Sequence, residues 1–262
     1  MTPDRPVDRP YISVVVPAYN EVKRIAGTVG EMKDYLQGRR YSHEIIVSAD
    51  GDDGTRECVA ELARTDPTLK VIGSVERRGK GFGVRQGVRM AQGEIIGFVD
   101  ADNKTPITDF DKVEPLLKSG NDIVIGSRAL RDSQIERAQP SYRRLGSKGF
   151  SLLMHTVVGL RDISDTQCGF KFFQRRPALD LFSRQGIDGY MFDVEILYLA
   201  QRAGYRIAQV PIRWRDDGDS RLAVFSGNVR NLVDIFRIRF ASPARAGAAI
   251  SSDRSSAERC GS

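Results

Sequence analysis

Three short stretches of this 262-residue chain carry groups that could do chemistry. Asp100-Ala101-Asp102 sets two carboxylates one residue apart, directly behind the apolar run Glu94-Ile95-Ile96-Gly97-Phe98-Val99. Held at a strand end, such a pair can grip a hard divalent cation, Mg2+ or Mn2+. These ions take oxygen ligands and share them with substrate phosphates. Asp50-Gly51-Asp52-Asp53-Gly54-Thr55 follows a second apolar run, Glu44-Ile45-Ile46-Val47. Arg77-Arg78-Gly79-Lys80-Gly81 is basic and glycine-rich: its glycines allow close backbone approach, and Lys80 supplies charge for a pyrophosphate. Acidic residues are common at loop starts, so an isolated Asp-x-Asp means little. Position is what gives these stretches weight.

The elements that must hold these groups alternate along the chain. Apolar, β-branched runs predict strands at 11–16, 44–47, 71–72, 94–99 and 121–125. Helical patterns cover 21–37, 55–64 (with Thr55 as its cap) and 83–91. This order implies βαβ units: an α/β fold with a mainly parallel, Rossmann-like sheet flanked by helices. Such sheets bind ligands at the carboxyl ends of their strands. Pro17-Ala18-Tyr19-Asn20-Glu21, the acidic turn, Asp100 to Lys104 and Gly126-Ser127-Arg128 all fall there. Further on, the patterns predict helices at 141–158, 190–203 and 224–240, and strands at 168–173 and 206–210.

Composition narrows the class. Forty per cent hydrophobic and 28% charged residues suit a globular domain with a sizeable core. No apolar run approaches the ~20 residues that span a bilayer. Residues 1–10 are polar and proline-rich, with no signal-peptide run, so cytoplasmic residence is expected. Cys58, Cys168 and Cys260 match neither a disulfide framework nor a zinc site. The net charge of +6 fits phosphate-bearing ligands or an anionic membrane surface; no basic block points to nucleic acid. His43 and His155 match no motif.

From 11 to 222 the ordered set of stretches resembles the family 2 glycosyltransferases. Asp165-Thr166-Gln167-Cys168-Gly169-Phe170-Lys171 sharpens the likeness, with Gly126-Ser127-Arg128 before it and Phe192-Asp193-Val194-Glu195 after it. Together they resemble the dolichyl-phosphate β-glucosyltransferases and bacterial polyprenyl-phosphate hexosyltransferases. The resemblance implies a GT-A fold and inverting transfer of a hexose, glucose first, from a nucleotide sugar to polyprenyl phosphate. It implies roles too. Pro17, Ala18, Tyr19, Glu21 and Asp50 line the nucleotide pocket. Asp100 and Asp102, either side of Ala101, hold the metal on the diphosphate, and Lys80 sits near the donor. Gln167 belongs to the substrate-binding set. Arg128 and Arg143 bind the acceptor phosphate, with Arg144 a near-equivalent of Arg143. Asp193 stands where other members carry a general base. Asp193 and Glu195, two apart on a helix, project to different sides, so at most one faces the site.

Two departures stand out. Ala49-Asp50-Gly51-Asp52 replaces the family's Asp-Asp-Gly-Ser. Lys104 occupies the position where mannose synthases place a metal-binding Gln, and a charged lysine cannot ligate a metal. Water and phosphate complete the coordination instead, or Lys104 contacts phosphate itself.

Residues 1–10 and 242–262 are expected to be disordered. The 223–241 segment is an amphipathic helix with arginines among its apolar residues. It suits peripheral contact with the inner membrane face, or packing on the domain. Two other functions remain open: transfer to a soluble or glycan hydroxyl, and nucleotide-sugar binding without turnover.

Overall fold

The computed structural model describes residues 9–135, 154–215 and 229–240. A seven-stranded sheet is built from β1 (Ile12–Tyr19), β2 (His43–Asp50), β3 (Leu69–Ile72), β4 (Ile95–Val99), β5 (Ile123–Ser127), β7 (Phe170–Gln174) and β8 (Ile207–Pro211). Its order is β3-β2-β1-β4-β7-β5-β8. Every pairing is parallel except those of β7, which runs antiparallel to β4 and to β5. A two-residue pairing joins β6 (Gln134–Ile135) to β9 (Arg213–Trp214).

Because side chains alternate across a strand, each strand feeds two cores. Val14, Val16, Ile45, Val47 and Phe172 pack on one face with α1 (Ile25–Gly38) and α4 (Phe110–Lys118). Val15, Ile46, Phe98 and Phe173 pack on the other. That face is covered by α3 (Lys80–Met90), α5 (Arg175–Arg184), α6 (Phe192–Arg202) and α7 (Val229–Phe240). The remaining helix, α2 (Thr55–Ala63), packs beside β3. The chain runs outward from β1 through β2 to β3, then crosses back to β4 on the other side of β1. The crevice beyond their carboxyl ends is therefore the expected ligand site.

Several boundaries differ from the sequence-based expectation. The first helix starts at Ile25, not Glu21, because Glu21 and Val22 are pinned to the acidic turn. Glu21 N–H donates to Thr55 Oγ1 at 2.8 Å and Val22 N–H to Asp53 Oδ2 at 3.0 Å. Thr55 is not the cap of α2 but its first residue, with Gly54 at φ 93° before it. Asp53 Oδ1 accepts the Thr55 N–H at 3.0 Å. α3 begins a turn early, at Lys80. The helices α4, interrupted by Pro115, and α5 had no counterpart in the periodicity reading. Of the helix expected at 141–158, only the π-helical turn Met154–Val158 falls among the described residues. Residues 1–8, 216–228 and 241–262, with their disorder and boundary expectations, lie outside them. Among the described residues no helix is long and apolar enough to cross a membrane.

Candidate active site

A single cleft at the carboxyl ends of β1, β2, β4 and β5 is lined by Pro17, Ala18, Tyr19, Glu21, Asp50, Lys80, Asp100, Ala101, Asp102, Arg128, Gln167 and Asp193. Every site residue expected from the sequence is in it except Arg143, which, with Arg144, lies outside the described residues.

The acidic pair sits just past β4, on a loop fastened to α1. Thr28 Oγ1 donates to the Ala101 carbonyl at 2.8 Å, and Asn103 Nδ2 donates to Glu31 Oε2 at 2.6 Å. Asp100 lies against the backbone of Gly169. A Cβ there would meet Asp100 Oδ2 at 2.0 Å, which gives the glycine of the heptapeptide a steric reason. Each carboxylate already faces an ammonium: Lys80 Nζ is 2.6 Å from Asp100 Oδ1, and Lys104 Nζ is 3.7 Å from Asp102 Oδ2. Burial, then the charge of Asp100, holds the Asp102 carboxyl above its ordinary value. Two hard oxygen donors crowded together in a low-dielectric cleft are what a divalent cation relieves, so the donor set fits Mg2+ or Mn2+. Among the described residues no third His, Cys, Asp or Glu joins them, which leaves the other positions to phosphate oxygens and water.

Lys80 is the first residue of α3, behind Gly79 at φ 112°. A side chain at Gly79 would meet the Asp188 carbonyl oxygen at 2.3 Å. Burial alone would lower the Lys80 ammonium, but Asp100, Asp193 and Asp102 hold it above the ordinary lysine value. Asp50 serves the same loop: its carboxylate accepts the N–H groups of Ser74 at 3.3 Å and Arg78 at 2.8 Å. Arg77 closes the mouth. Its guanidinium lies 4.4 Å from the Tyr19 ring centroid, and its Nη2 donates to the Tyr190 hydroxyl at 3.3 Å.

The Arg128 fork is not simply open to an acceptor. Its Nε and Nη2 donate to Asp165 Oδ2 and Oδ1 at 2.7 and 2.9 Å, and its backbone N–H reaches Oδ2 at 3.0 Å. Burial alone would raise Asp165, but Arg128 brings its carboxyl down to about 2. Nη1 takes no part in this pair, and Arg128 still lines the cleft beside Trp214, with 5.7 Å between its Cζ and the ring centroid. Among the described residues the buried Gln167 Nε2 atom has no hydrogen-bond partner, and a buried donor of this kind calls for a ligand or a water.

Asp193 and Glu195 do diverge. Asp193 points into the cleft wall, while Glu195 accepts the N–H groups of Gly186 and Ile187 at 3.0 and 2.9 Å. Burial raises the Asp193 carboxyl above its ordinary value, opposed by Lys171 and Lys80. Sequence reasoning singled out the stretches that contain Arg77, Asp165 and Lys171 without giving those residues a role, and it missed Trp214 and Tyr190 in the site. Lys171 carried a further signal, as a charge among the phenylalanines of β7.

The model described as glycosyl transferase family 2 matches residues 13–182. Among curated relatives, a dolichyl-phosphate beta-glucosyltransferase of Trichomonas vaginalis is 37% identical over 239 residues, spanning 87% of this chain and 70% of that protein. Those of Dictyostelium discoideum and Homo sapiens are 36% and 34% identical, spanning 90% and 87% of this chain and 76% and 74% of theirs. Among solved structures, glucosyl-3-phosphoglycerate synthase of Mycobacterium tuberculosis in complex with uridine diphosphate superposes with TM-score 0.64 at 21% identity, covering 88% of this chain and 80% of that one. Mannosyl-3-phosphoglycerate synthase of Rubrobacter xylanophilus gives 0.60 at 17%, covering 87% and 71%. These likenesses show the GT-A fold.

Proposed function

Because the chain belongs to glycosyl transferase family 2, we propose that it moves glucose from a uridine diphosphate sugar to a polyprenyl phosphate of the dolichyl type, inverting the anomeric centre. The observation that carries the reading is one cleft holding the acidic pair, Lys80 and Arg128 together. The curated relatives named above supply the sugar and the acceptor class.

Each end of the cleft has a task. Tyr19, Asp50 and the loop that Asp50 ties down receive the nucleoside. Asp100 and Asp102 are the residues that would hold Mg2+ or Mn2+. When bound, such an ion supplies positive charge to the diphosphate as the bond to the anomeric carbon breaks. Lys80 supplies charge to the same leaving group and is held ready by Asp100 and Asp193. The acceptor phosphate attacks from the opposite face. Arg128, fixed by Asp165, and Gln167 are the groups offered to it.

A phosphate acceptor needs no base. Its second pKa is about 6, so it arrives ionised and needs only positioning and charge neutralisation. Asp193 acts in this reading as a fixed charge beside Lys80. The second reading, transfer to a hydroxyl, draws on the raised carboxyl of Asp193, which suits a general base. Offering polyprenyl phosphate and the corresponding polyprenol side by side separates the two. Glucose on the phosphate alone supports the first reading, and glucose on the alcohol overturns it.

A further inference from the structure

The helix α7 is amphipathic in a particular way. Asp234, Ile235 and Ile238 face inward and are buried, the isoleucines within the core shared by α3, α5 and α6. On the other side Val233, Phe236 and Phe240 are 49%, 54% and 70% exposed, and the two phenylalanine rings stack at 6.2 Å. At about 100° per residue these three fall within an arc of about 60°. Arg237 then lies about 40° beyond Val233 on one flank, and Arg239 about 60° beyond Phe236 on the other. Both arginines are exposed.

A helix that serves only to pack on its domain has no use for an outward apolar strip between two cations. Three neighbouring large apolar side chains in water cost free energy that a polar residue would not. We infer that this face of α7 docks in the interface of an anionic bilayer, with Val233, Phe236 and Phe240 entering the acyl boundary and Arg237 and Arg239 meeting lipid phosphates. An apolar strip flanked by arginines fits that boundary, because guanidinium groups reach headgroups while their stems lie on the apolar layer. The chain's net charge of +6 adds to the attraction.

The location serves the cleft. Asp234 Oδ2 lies 4.0 Å from where a Gly189 Cβ would stand, and the next residue, Tyr190, lines the cleft. α7 also packs on α6, which carries Asp193. A bilayer on α7 would therefore sit beside the Tyr190–Asp193 wall, where a phosphate tethered to a polyprenyl chain can be delivered. The inference deepens the lipid-acceptor reading and rests on it for what the docking achieves.

The test uses the full chain and two sets of vesicles, phosphatidylcholine alone and phosphatidylcholine with phosphatidylglycerol. The wild type should sediment with the anionic vesicles and be released by salt. Phe236→Glu with Phe240→Glu should weaken that binding at least tenfold without shifting the melting temperature. The same pair should lose transfer to long-chain polyprenyl phosphate held in vesicles, yet keep transfer to a short, water-soluble prenyl phosphate. Unchanged vesicle binding by the double variant would overturn the inference. So would a wild type that stays in the supernatant, or a wild-type dimer that the double variant splits, since a second copy would then be what covers the strip. If vesicle binding behaves as expected and neither acceptor receives sugar, the docking stands and the lipid-acceptor reading fails.

Discussion

The ammonium of Lys171 lies 2.6 Å from Asp193 Oδ1 and 2.6 Å from the Cys168 carbonyl oxygen, with no exposure to solvent. A buried cation thus stands directly behind the carboxylate of the cleft wall. Neutralising Asp193 leaves that cation in the core without its carboxylate, with the Cys168 carbonyl still beside it.

Asp193→Asn should therefore be destabilising as well as catalytically informative. Breaking a buried pair by removing one partner costs about 3–5 kcal/mol. Adding Lys171→Met removes the stranded charge and should recover most of the loss. Urea denaturation of the two single variants and the double variant measures this. An Asp193→Asn protein as stable as the wild type would show that the pair holds nothing together.

Gly169→Ala tests the seat of the acidic pair. The new methyl would stand 2.0 Å from Asp100 Oδ2 and 2.2 Å from its Cγ, so the carboxylate must move. Displaced support of this kind costs about 10–100-fold in metal affinity. A Mn2+ titration followed by electron paramagnetic resonance should show that weakening in a protein that still melts cooperatively. Unchanged Mn2+ affinity would mean that Asp100 is not a ligand.

How far these features were legible in the sequence depends on their range. The strands β1, β2 and β4 are written in continuous apolar runs, and the residues just past them proved to share the cleft. Asp100, Asp102 and Lys80 were readable because strand ends in such a sheet converge. The antiparallel β7 reads as a strand, but no periodicity says that it inserts between β4 and β5. Lys171 stands out among phenylalanines, while its partner Asp193 comes 22 residues later, on another element. Arg128 and the stretch that begins at Asp165 were both found but their pairing was not, because a bond across 37 residues leaves no local pattern. In α4 the period itself is regular, with Phe110, Val113 and Leu117 buried on one face, but Pro115 inside a nine-residue stretch reads in sequence as a helix breaker.

The Arg128–Asp165 pair predicts a pH signature. The folded-state Asp165 carboxyl sits at about 2, against a usual value near 3.8. A depressed carboxyl contributes stability above its unfolded value, and the contribution is lost as pH falls toward the folded value. Asp165→Asn should thus be less stable than the wild type at neutral pH. The gap should hold down to about pH 4 and narrow below it. Denaturation curves from pH 7 to pH 3 check this, and a gap that widens on acidification would contradict it.

The donor assignment predicts a ranking of ligands. With Mn2+ present, UDP-glucose should raise the melting temperature more than GDP-mannose. A ligand at a hundred times its dissociation constant stabilises by about 2.7 kcal/mol, so the shift is readable. The reverse ranking would move the chain to a different donor.

The most direct measurement follows the sugar itself. UDP-glucose labelled in the glucose is incubated with the protein, Mg2+ or Mn2+ and polyprenyl phosphate, and the mixture is extracted with organic solvent. Label should enter the organic phase, depend on polyprenyl phosphate, stop with excess chelator, and fail to appear with Asp102→Ala. Label that stays in the aqueous phase under every metal condition, or that enters the organic phase only from GDP-mannose, would contradict the account.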